Sequence, residues 1–242
     1  MDKRIIIIGA TSGIGYEIAR LYCRKGWRVG VAGRRAELLE KIRQEAPGQI
    51  ETEQLDVTGP EAPDRLKQLI AKVGGMDVFL LSSGIGSQNR ALDPAIESAT
   101  VRTNTLGFTV LVVAAYHYFK EQGGGQLAVI SSIAGTKGLG AAPAYSATKR
   151  YQNTYIEALD QLAQMENIPI RFTDIRPGFV KTALLKNGKY PMLMEPEYAA
   201  RKIVKAIEQK KRRAVIDWKY AILVFFWRLI PGFIWRRLPV HN

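Results

Sequence analysis

The sequence predicts an α/β fold, in which a doubly wound parallel β-sheet carries helices on both faces of a single domain. Short continuous runs of Ile, Val and Leu alternate with amphipathic segments, a pattern typical of strands buried on both sides. No linker, repeat or low-complexity block interrupts the alternation. Apolar residues make up 47% and charged residues 24% of the 242 residues, which is ordinary globular usage.

Each predicted strand comes from an aliphatic run, and each predicted helix from an amphipathic segment between two such runs. The predicted strands are Arg4–Ile8, Arg28–Ala32, Gln49–Leu55, Val78–Leu81, Gln126–Ile130, Ile170–Asp174 and Ala214–Ile216. The predicted helices lie near Gly13–Lys25, Ala36–Gln44, Pro60–Val73, Ala99–Phe119, Tyr145–Met165 and Pro196–Lys210. This order predicts a catalytic domain over residues 1–217 and a hydrophobic, basic tail over residues 218–242.

Composition narrows the functional classes. Cys23 is the only cysteine, which excludes an intrachain disulfide and a multi-cysteine metal site and favours a reducing, cytoplasmic location. We expect no metal. The net charge is +13, and residues 201–242, with eleven Lys/Arg and two Asp/Glu, carry +9 of it. The positive charge therefore belongs to the C-terminal segment and not to the whole fold.

A glycine-rich segment follows the first predicted strand and opens the first helix. Its residues are Gly9, Thr11, Ser12, Gly13, Ile14 and Gly15. Glycines here allow a tight turn and a close backbone approach to a pyrophosphate, and the helix N-terminus offers free N–H groups. A plain structural turn is the alternative. The strand-loop-helix context favours a dinucleotide site of the Rossmann type.

The second predicted strand leads into Gly33, Arg34 and Arg35. NAD enzymes usually place Asp or Glu here to bind the ribose 2′-hydroxyl, and this chain has Gly33 instead. A guanidinium binds a 2′-phosphate through its fork of donors. The alternative is a solvated helix N-terminus, where cations are unfavourable. We therefore expect NADP(H) as the cofactor.

Tyr145 and Lys149 are four residues apart on one face of a predicted helix. A phenol, with a pKa of about 10, exchanges protons poorly at neutral pH. An ammonium one turn away favours the phenolate and makes it usable for proton exchange with an alcohol or ketone. Simple surface packing is an equally weighted alternative on spacing alone. Tyr151 and Tyr155 lie nearby, but neither has a lysine four residues on.

Two further polar residues stand where a substrate or cofactor would lie. Ser132 follows a predicted strand, at the end of a parallel sheet where ligands bind, and precedes Tyr145 by thirteen residues. Asn104 lies inside a helical pattern, where asparagine is mildly unfavourable. A surface asparagine is the alternative for Asn104.

Together these motifs resemble the short-chain dehydrogenase/reductase superfamily. The matches are the glycine spacing, Asn104-x-x-Gly107, Ser132, Tyr145-x-x-x-Lys149, Asp56-Val57 after the third strand and Pro177-Gly178-Phe179-Val180-Lys181-Thr182 after the sixth. They cover roughly residues 3 to 216, and all six stand in the expected order.

The resemblance implies roles for the four catalytic candidates. Tyr145 would protonate the carbonyl oxygen in reduction, as hydride arrives from the nicotinamide. Lys149 would bond the nicotinamide ribose and lower the pKa of the phenol. Ser132 would orient the carbonyl, and Asn104 would position a water in a proton relay to Lys149.

The resemblance also implies further cofactor contacts. Asp56 and Val57 would line the adenine site, and the backbone around Val180, with Thr182, would hold the carboxamide. The remaining implied contacts are Ser83, Gly84, Tyr145, Lys149, Pro177 and Gly178. The family usually has Asn-Ala-Gly after the fourth strand, whereas this chain has Ser82-Ser83-Gly84, so an asparagine that supports the pocket is replaced.

These features predict an NADP(H)-dependent oxidoreductase acting on a carbonyl or secondary alcohol. Residues 183–194 would form a substrate-covering loop. Its apolar residues, which favour an apolar or acyl-chain-bearing substrate over a small polar sugar, are Leu184, Leu185, Met192, Leu193 and Met194. The alternative function is a catalytically silent dinucleotide-binding regulator at a membrane surface. The resemblance also implies a homodimer or homotetramer through helices Ala99–Phe119 and Tyr145–Met165.

The tail contains the most apolar window, Ala221–Trp235. Its longest apolar run, Tyr220–Trp227, is too short for the roughly 20 residues that cross a bilayer. We expect peripheral contact with an anionic membrane, with Trp218, Trp227 and Trp235 at headgroup depth. The alternative is packing over a neighbouring subunit or the substrate mouth.

Two other classes are not expected. The tail lacks interleaved polar residues that read bases, so we expect no nucleic acid as partner. His117 and His241 are the only histidines and no G-x-S-x-G is present, which argues against a Ser-His-Asp hydrolase.

Overall fold

The computed structural model describes residues 3–185 and 190–240. Their strands form one seven-stranded sheet in the order β3-β2-β1-β4-β5-β6-β7, and every neighbouring pair is parallel. The strands are β1 Arg4–Ile8, β2 Arg28–Gly33, β3 Ile50–Gln54, β4 Val78–Leu81, β5 Gly125–Ile130, β6 Ile170–Pro177 and β7 Arg213–Ile216. The predicted doubly wound α/β fold is confirmed.

The helices cover both faces of the sheet. They are α1 Gly13–Arg24, α2 Ala36–Glu45, α3 Ala62–Val73, α4 Pro94–Val101, α5 Phe108–Gln122, α6 Pro143–Met165, α7 Pro196–Glu208, α8 Trp218–Leu229 and α9 Gly232–Trp235. A π-helical segment, Arg102–Gly107, joins α4 to α5, and a 3₁₀ turn, Ile133–Thr136, follows β5.

The predicted helix Ala99–Phe119 is wrong at its start and in its form. The helical segment begins at Pro94, where the Asp93 carboxylate accepts a hydrogen bond from the Ala95 N–H at 2.8 Å. An Asp cap before a Pro in the first turn is a common start signal. The π-helical segment then widens the helix around Asn104, and such segments often mark functional sites.

The core consists of one apolar layer on each face of the sheet. Successive strand side chains alternate, so Ile5 and Ile7 pack against α1, α2 and α7, while Ile6 and Ile8 pack against α3, α5 and α6. This two-sided burial explains why β1 is aliphatic throughout. It also fixes the carboxyl ends of the strands along one rigid edge.

The first helix of the predicted tail packs into the apolar layer formed by Ile5, Ile7 and helices α1, α2 and α7. Tyr220 and Val224 of α8 belong to it, and Tyr220 is fully buried. The Asp217 carboxylate caps α8 by accepting from the Lys219 N–H at 3.0 Å. Among the helices of residues 3–185 and 190–240, none is long and apolar enough to pass through a bilayer.

Candidate active site

The predicted site residues gather where parallel strands end. Gly9, Ser83, Ser132 and Pro177 lie at or just after the carboxyl ends of β1, β4, β5 and β6. These four strands are adjacent in the sheet, so their loops converge on one crevice. Tyr145 and Lys149 reach the crevice from α6, and Asn104 reaches it from the π-helical segment.

The glycine-rich loop fits tightly between the ends of β4 and β6. Gly9 has φ +88°, and a Cβ there would lie 2.5 Å from the Ser83 hydroxyl oxygen. Gly13 has φ +61°, with the Thr182 methyl group 3.1 Å from where a Cβ would stand. Gly15 packs directly on the Gly9 carbonyl. Only glycine suits these three positions. The loop brings backbone N–H groups at the start of α1 to the crevice.

Two arginines flank the loop at the end of β2. The Arg35 guanidinium donates to the Thr11 hydroxyl at 2.7 Å and to the Ser12 hydroxyl at 2.7 Å, so it lies across the glycine loop. Gly33 is the last residue of β2, and a Cβ there would meet the Thr11 methyl group at 2.7 Å. The loop therefore presents N–H groups and cations to one region. Ile14 instead packs, half-buried, against the core.

The end of β3 supplies an acidic turn. The Asp56 carboxylate accepts from the Thr58 N–H at 2.9 Å and from its hydroxyl at 2.8 Å. The Thr58 N–H lowers the pKa of Asp56, and the nearby Arg34 charge adds to the effect. Val57 contacts the π-helical segment, where a Cβ on Gly107 would lie 2.5 Å from the Val57 carbonyl oxygen.

The Ser132 and Tyr145 side chains come together in the crevice, close enough for the Ser132 hydroxyl to lower the pKa of the Tyr145 phenol. The Ser132 oxygen also accepts from the Ala134 N–H at 3.1 Å, which caps the 3₁₀ turn. The Tyr145 ring packs on Gly86, where a Cβ would lie 2.7 Å from a ring carbon. Burial raises the pKa of the Tyr145 phenol, and the nearby Ser132 hydroxyl opposes the rise. The expected lowering of this pKa is therefore not seen, because desolvation dominates.

Lys149 is buried in α6, with its side chain turned toward β5. Its ammonium donates to the Ile130 carbonyl at 3.1 Å and to the Gln152 Oε1 at 3.0 Å. The Nζ lies 5.8 Å from the centre of the Tyr145 ring. Burial lowers the pKa of Lys149 to about 8, and the negative charge of Asp174 opposes the shift.

Asn104 is fully buried, so the surface alternative for this residue is wrong. Its side chain donates to the Ile85 carbonyl at 2.7 Å and accepts from the Ile85 N–H at 2.9 Å. The Asn104 backbone carbonyl accepts from the Gln152 Nε2 at 2.9 Å. The structure also links Asn104 to Lys149 through the Gln152 amide, and the water relay between them stays a prediction.

A buried ionic group lies beneath these residues. The Arg176 guanidinium donates to the Asp174 carboxylate at 2.8 Å and 2.5 Å, and both side chains are buried. Asn153 donates to the same carboxylate at 3.1 Å, and the Ser131 hydroxyl donates to its other oxygen. These bonds tie α6 to β5 and β6 below the site.

The chain after β6 runs between the crevice and α8. Gly178 lies against the face of the Tyr220 ring, and the Phe179 N–H donates to the Tyr220 hydroxyl oxygen at 3.0 Å. The same hydroxyl donates to the Pro191 carbonyl at 2.9 Å and lies 3.1 Å from the Met192 carbonyl. One phenol on α8 therefore contacts the chain before the predicted covering loop and again near the C-terminal end of that loop.

Part of that loop departs from prediction. Met194 does not belong to an apolar cover, because it is buried in the core and bridges to Val180. Leu184, Met192 and Leu193 are exposed as a cover requires. Residues 186–189 of the predicted loop lie outside the described residues.

The tail also contacts the loop that follows Ser132. The Lys137 ammonium donates to the Ile230 carbonyl at 2.7 Å and lies 5.7 Å from the Trp235 ring centre. The Trp235 indole N–H donates to the Gly138 carbonyl at 2.8 Å. Trp235 also pairs with Trp227 at 5.5 Å between ring centres. These two tryptophans are half-buried, and their place at headgroup depth stays a prediction.

Sequence reasoning missed two residues of the site. Gln152 stands seven residues after Tyr145 and three after Lys149, so helical spacing already places all three on one face. Tyr220 contacts the crevice from 41 residues away along the chain, and local spacing carries no signal for such a contact. Tyr151 and Tyr155 stack on each other at 5.5 Å beside Phe108, away from Tyr145.

Comparisons with known proteins show which family this chain resembles. A family model described as short chain dehydrogenase matches residues 3–193. An uncharacterized oxidoreductase of Myxococcus xanthus is 32% identical over 238 residues, which cover 95% of this chain and 93% of the relative. Dehydrogenase/reductase SDR family member 7B of Bos taurus is 30% identical, over 96% of this chain and 79% of the relative.

Solved structures share the fold. A short-chain dehydrogenase from Streptomyces avermitilis superposes with a TM-score of 0.82 at 24% identity, over 95% of this chain and 93% of that one. A 3-ketoacyl-(acyl-carrier-protein) reductase from Brucella melitensis, complexed with NADH, superposes with a TM-score of 0.79 at 21% identity, over 89% and 96%.

Proposed function

This chain belongs to the short-chain dehydrogenase family, and we propose that it transfers hydride between NADP(H) and a carbonyl or secondary alcohol substrate. It is thus an oxidoreductase of a family that uses a nicotinamide cofactor and small-molecule substrates. The choice of NADP(H) and the kind of substrate are the finer parts of the proposal.

The residues of the crevice fit such a cofactor. The glycine positions leave no room for side chains, so a ligand could approach the backbone of the loop closely. Helix α1 begins there without a side-chain cap, and its N–H groups and dipole favour an anion. Arg34 and Arg35 supply cations for a phosphate at the end of β2. When bound, the nicotinamide supplies or accepts the hydride. Val180 and Thr182 would border its carboxamide, as the resemblance implies.

The protein's own side chains transfer the proton to and from the substrate oxygen. In reduction the Tyr145 hydroxyl protonates the substrate oxygen, and in oxidation the phenolate removes that proton. Ser132, which lies beside Tyr145, orients the same oxygen. The buried Lys149 ammonium stabilises the phenolate that remains after proton transfer.

One observation carries the proposal: Ser132 and Tyr145 come together beside a buried Lys149 ammonium, whose Nζ lies 5.8 Å from the centre of the Tyr145 ring. A silent regulator has no need to bury an ammonium beside a phenol, since burial of a charge destabilises the fold unless it is paired. A lysine in this position is a hallmark of a functional site. Catalysis is therefore favoured over a silent dinucleotide-binding protein at a membrane.

The direct test is Tyr145→Phe, assayed by NADPH oxidation with a panel of ketones. Loss of the general acid should lower kcat by about 10²–10⁴-fold. Tyr151→Phe is the matched control, because Tyr151 lies on the same helix and its hydroxyl bonds Thr109 instead. Undiminished turnover in Tyr145→Phe would contradict the proposed chemistry.

For the cofactor, we propose that Arg34 and Arg35 select the 2′-phosphate of NADP(H). Arg34→Ala should raise KM for NADPH about tenfold or more and leave KM for NADH nearly unchanged, since a charge-assisted hydrogen bond is lost only with the phosphate. Arg43→Ala, at the far end of α2, is the control. Equal effects on both cofactors would remove the assignment.

For the substrate, we propose an apolar or acyl-chain-bearing carbonyl compound. The exposed Leu184, Met192 and Leu193 support it, because they present apolar surface next to the crevice. A panel that compares long-chain ketones with short polar ketones tests this. Turnover of the polar ketones alone would favour the sugar-like alternative.

For assembly, we propose a homodimer or homotetramer built from α5 and α6. Exposed apolar side chains on and beside these helices support it, and they are Val101, Leu106, Val110, Leu162 and Met165. Light scattering on Leu106→Glu and on the wild type compares the assembled and disrupted states. A monomeric wild type would contradict this arrangement.

For location, we propose a cytoplasmic protein whose α8 rests on an anionic membrane. An apolar stripe on α8 supports it: Trp218, Phe225, Phe226 and Leu229 are 60–64% exposed and follow helical spacing, while Tyr220 and Val224 are buried on the opposite face. Both faces are therefore apolar.

Charge complementarity supports an anionic lipid surface as the occupant. Residues 218–242 contain Lys219, Arg228, Arg236 and Arg237 and no acidic residue. Burial lowers the pKa of Arg228, and the neighbouring cations Arg213, Arg176 and Arg150 lower it further. Lipid phosphates would neutralise this concentrated charge.

Vesicle sedimentation tests the membrane contact with phosphatidylcholine alone and with added phosphatidylserine. The wild type should bind the anionic vesicles more strongly, and less at high salt. Phe225→Glu should abolish binding, whereas Leu92→Glu, equally exposed on another surface, should not. These substitutions leave Tyr220 in place, unlike truncation of the tail. Equal sedimentation of both variants would favour a packing role instead.

A further inference from the structure

A glutamine amide joins two members of the proposed catalytic set. Gln152 lies one turn beyond Lys149 in α6, and it is 1% exposed. Its Oε1 accepts from the Lys149 ammonium at 3.0 Å, and its Nε2 donates to the Asn104 carbonyl at 2.9 Å. The side chain therefore bridges α6 to the π-helical segment.

The two partners fix which way the amide points. An ammonium can only donate a hydrogen bond, and a backbone carbonyl can only accept one. A reversed amide would oppose donor to donor at Lys149 and acceptor to acceptor at Asn104. Because both partners are buried, rotating the amide away would leave unpaired polar groups. Gln152 is held in one orientation.

The Lys149 ammonium depends on this bridge. Lys149 is 4% exposed, and its other hydrogen bond goes to the Ile130 carbonyl, which no side-chain substitution removes. The titratable and charged groups around it are Tyr145 on α6 and the Asp174–Arg176 pair on β6. Asp174 is engaged by Arg176, Asn153 and Ser131, so its charge is shared with other donors.

We infer that Gln152 is a positioning residue that holds the Lys149 ammonium, in its charged form, at a fixed place beside Tyr145. The inference rests on the proposed roles of Tyr145 and Lys149. Through Asn104, the bridge also ties this position to the π-helical segment. A change at Gln152 should therefore alter the proton chemistry without touching substrate or cofactor.

Gln152→Leu and Gln152→Glu act on Lys149 in opposite directions. Leu removes an acceptor from the ammonium and should move the pKa of Lys149 below its value of about 8 by roughly one unit. Glu places a carboxylate beside the ammonium and should move it upward. A purely structural role for Gln152 would not reverse sign between the two variants.

The primary measurement is the titration of the Lys149 side chain in the full-length protein. Selective ¹⁵N-lysine NMR follows its Nζ, and the resonance is assigned by its absence in Lys149→Arg. Gln161→Leu and Gln161→Glu, at an exposed position of the same helix, are the controls and should leave the midpoint unchanged. Gln152→Met, close to glutamine in length, replaces Leu if that variant unfolds.

Kinetics supply the second measurement. In carbonyl reduction the loss of the Lys149 proton should lower kcat/KM at high pH, and the pH of this decrease should shift down for Gln152→Leu and up for Gln152→Glu. The kcat of Gln152→Leu should fall about 10- to 100-fold with little change in KM, as expected for a lost bond to a charged group.

The two measurements separate the inference from the proposed function. No shift, or shifts in the same direction for Leu and Glu, would overturn the role of Gln152. Opposite NMR shifts in a protein that reduces no carbonyl would leave the role in place and remove the proposed function instead.

Discussion

The centre around Lys149 and the outer face of α8 differ in where their side chains find partners. At the centre, buried polar groups such as Lys149, Gln152 and Asn104 bond to one another. On α8, large apolar groups such as Phe225 and Leu229 face outward. Satisfied polar groups in a buried site fix a geometry. Apolar groups left outside instead create a surface for another molecule.

The two regions are not independent. The inner face of α8 carries Tyr220, which contacts the chain after β6, and Trp235 bonds the loop after Ser132. The inner face of α8 therefore packs on the catalytic domain, and its outer face is exposed. This division explains why an apolar window of this length is only partly buried in the core.

The largest expected change in stability comes from the inner face of α8, and it tests whether the two faces of this helix differ. Tyr220→Ala removes a fully buried ring and its hydrogen bonds to Phe179 and Pro191. It should lower the free energy of unfolding by about 3–5 kcal/mol. Urea unfolding followed by circular dichroism measures the change.

Phe225→Ala is the matched control for that substitution. Its ring is 60% exposed on the opposite face of the helix, so its loss should change the free energy of unfolding by less than about 0.5 kcal/mol. Similar losses for Tyr220→Ala and Phe225→Ala would show that α8 does not have one inner and one outer face.

A smaller effect on the free energy of unfolding is expected from the buried charge of Lys149. The folded pKa of Lys149 is about 8, below the usual value of 10.5 for an unfolded lysine. Below pH 8 both states bind the proton, and between pH 8 and 10.5 only the unfolded state does. Raising the pH through this window should therefore stabilise the wild type relative to Lys149→Met, by about 1–3 kcal/mol.

Unfolding of both proteins in urea at pH 7 and pH 10 measures this difference. Groups other than Lys149 titrate alike in the two proteins and cancel. A stability difference that does not change with pH would mean that burial does not govern the charge of Lys149.

The smallest expected effect concerns the contact between the regions. Trp235→Phe keeps an aromatic ring beside Trp227 but loses the donor to the Gly138 carbonyl. Because this site is partly exposed, the cost should be at most about 1 kcal/mol. Hydrogen exchange at residues 137–140 should nevertheless rise, while exchange in β5 stays unchanged. Equal exchange in wild type and variant would mean that α9 does not hold this loop.

Local pattern predicted most of the fold. The aliphatic runs gave six of the seven strands to within two residues at each end, because buried parallel strands have no polar face. Strand β6 runs to Pro177, three residues beyond its predicted end at Asp174. The reason is that Arg176, a charged residue within a buried strand, is neutralised by Asp174 on the same face.

The candidate site was predictable where its residues share a helix face or end a strand. Tyr145 and Lys149 follow helical spacing, and Ser132 follows β5, so their meeting could be expected. The link through Gln152 to Asn104 spans 48 residues, and the contact of Tyr220 with Phe179 spans 41. Such contacts depend on how whole elements pack, which periodicity does not encode. The assigned roles of the site residues stay predictions.

The Tyr220 hydroxyl has a consequence for how this enzyme could be re-engineered. It binds the backbone at Phe179 and at Pro191, so one oxygen atom contacts the chain at two points on either side of residues 180–190. Lengthening a flexible loop between fixed ends is inexpensive, at roughly 0.6 kcal/mol for each doubling. Insertions into this segment would therefore reshape the rim of the crevice while its foundations remain in register. Replacing this segment would then change which substrates the enzyme accepts, while the catalytic residues stay in place.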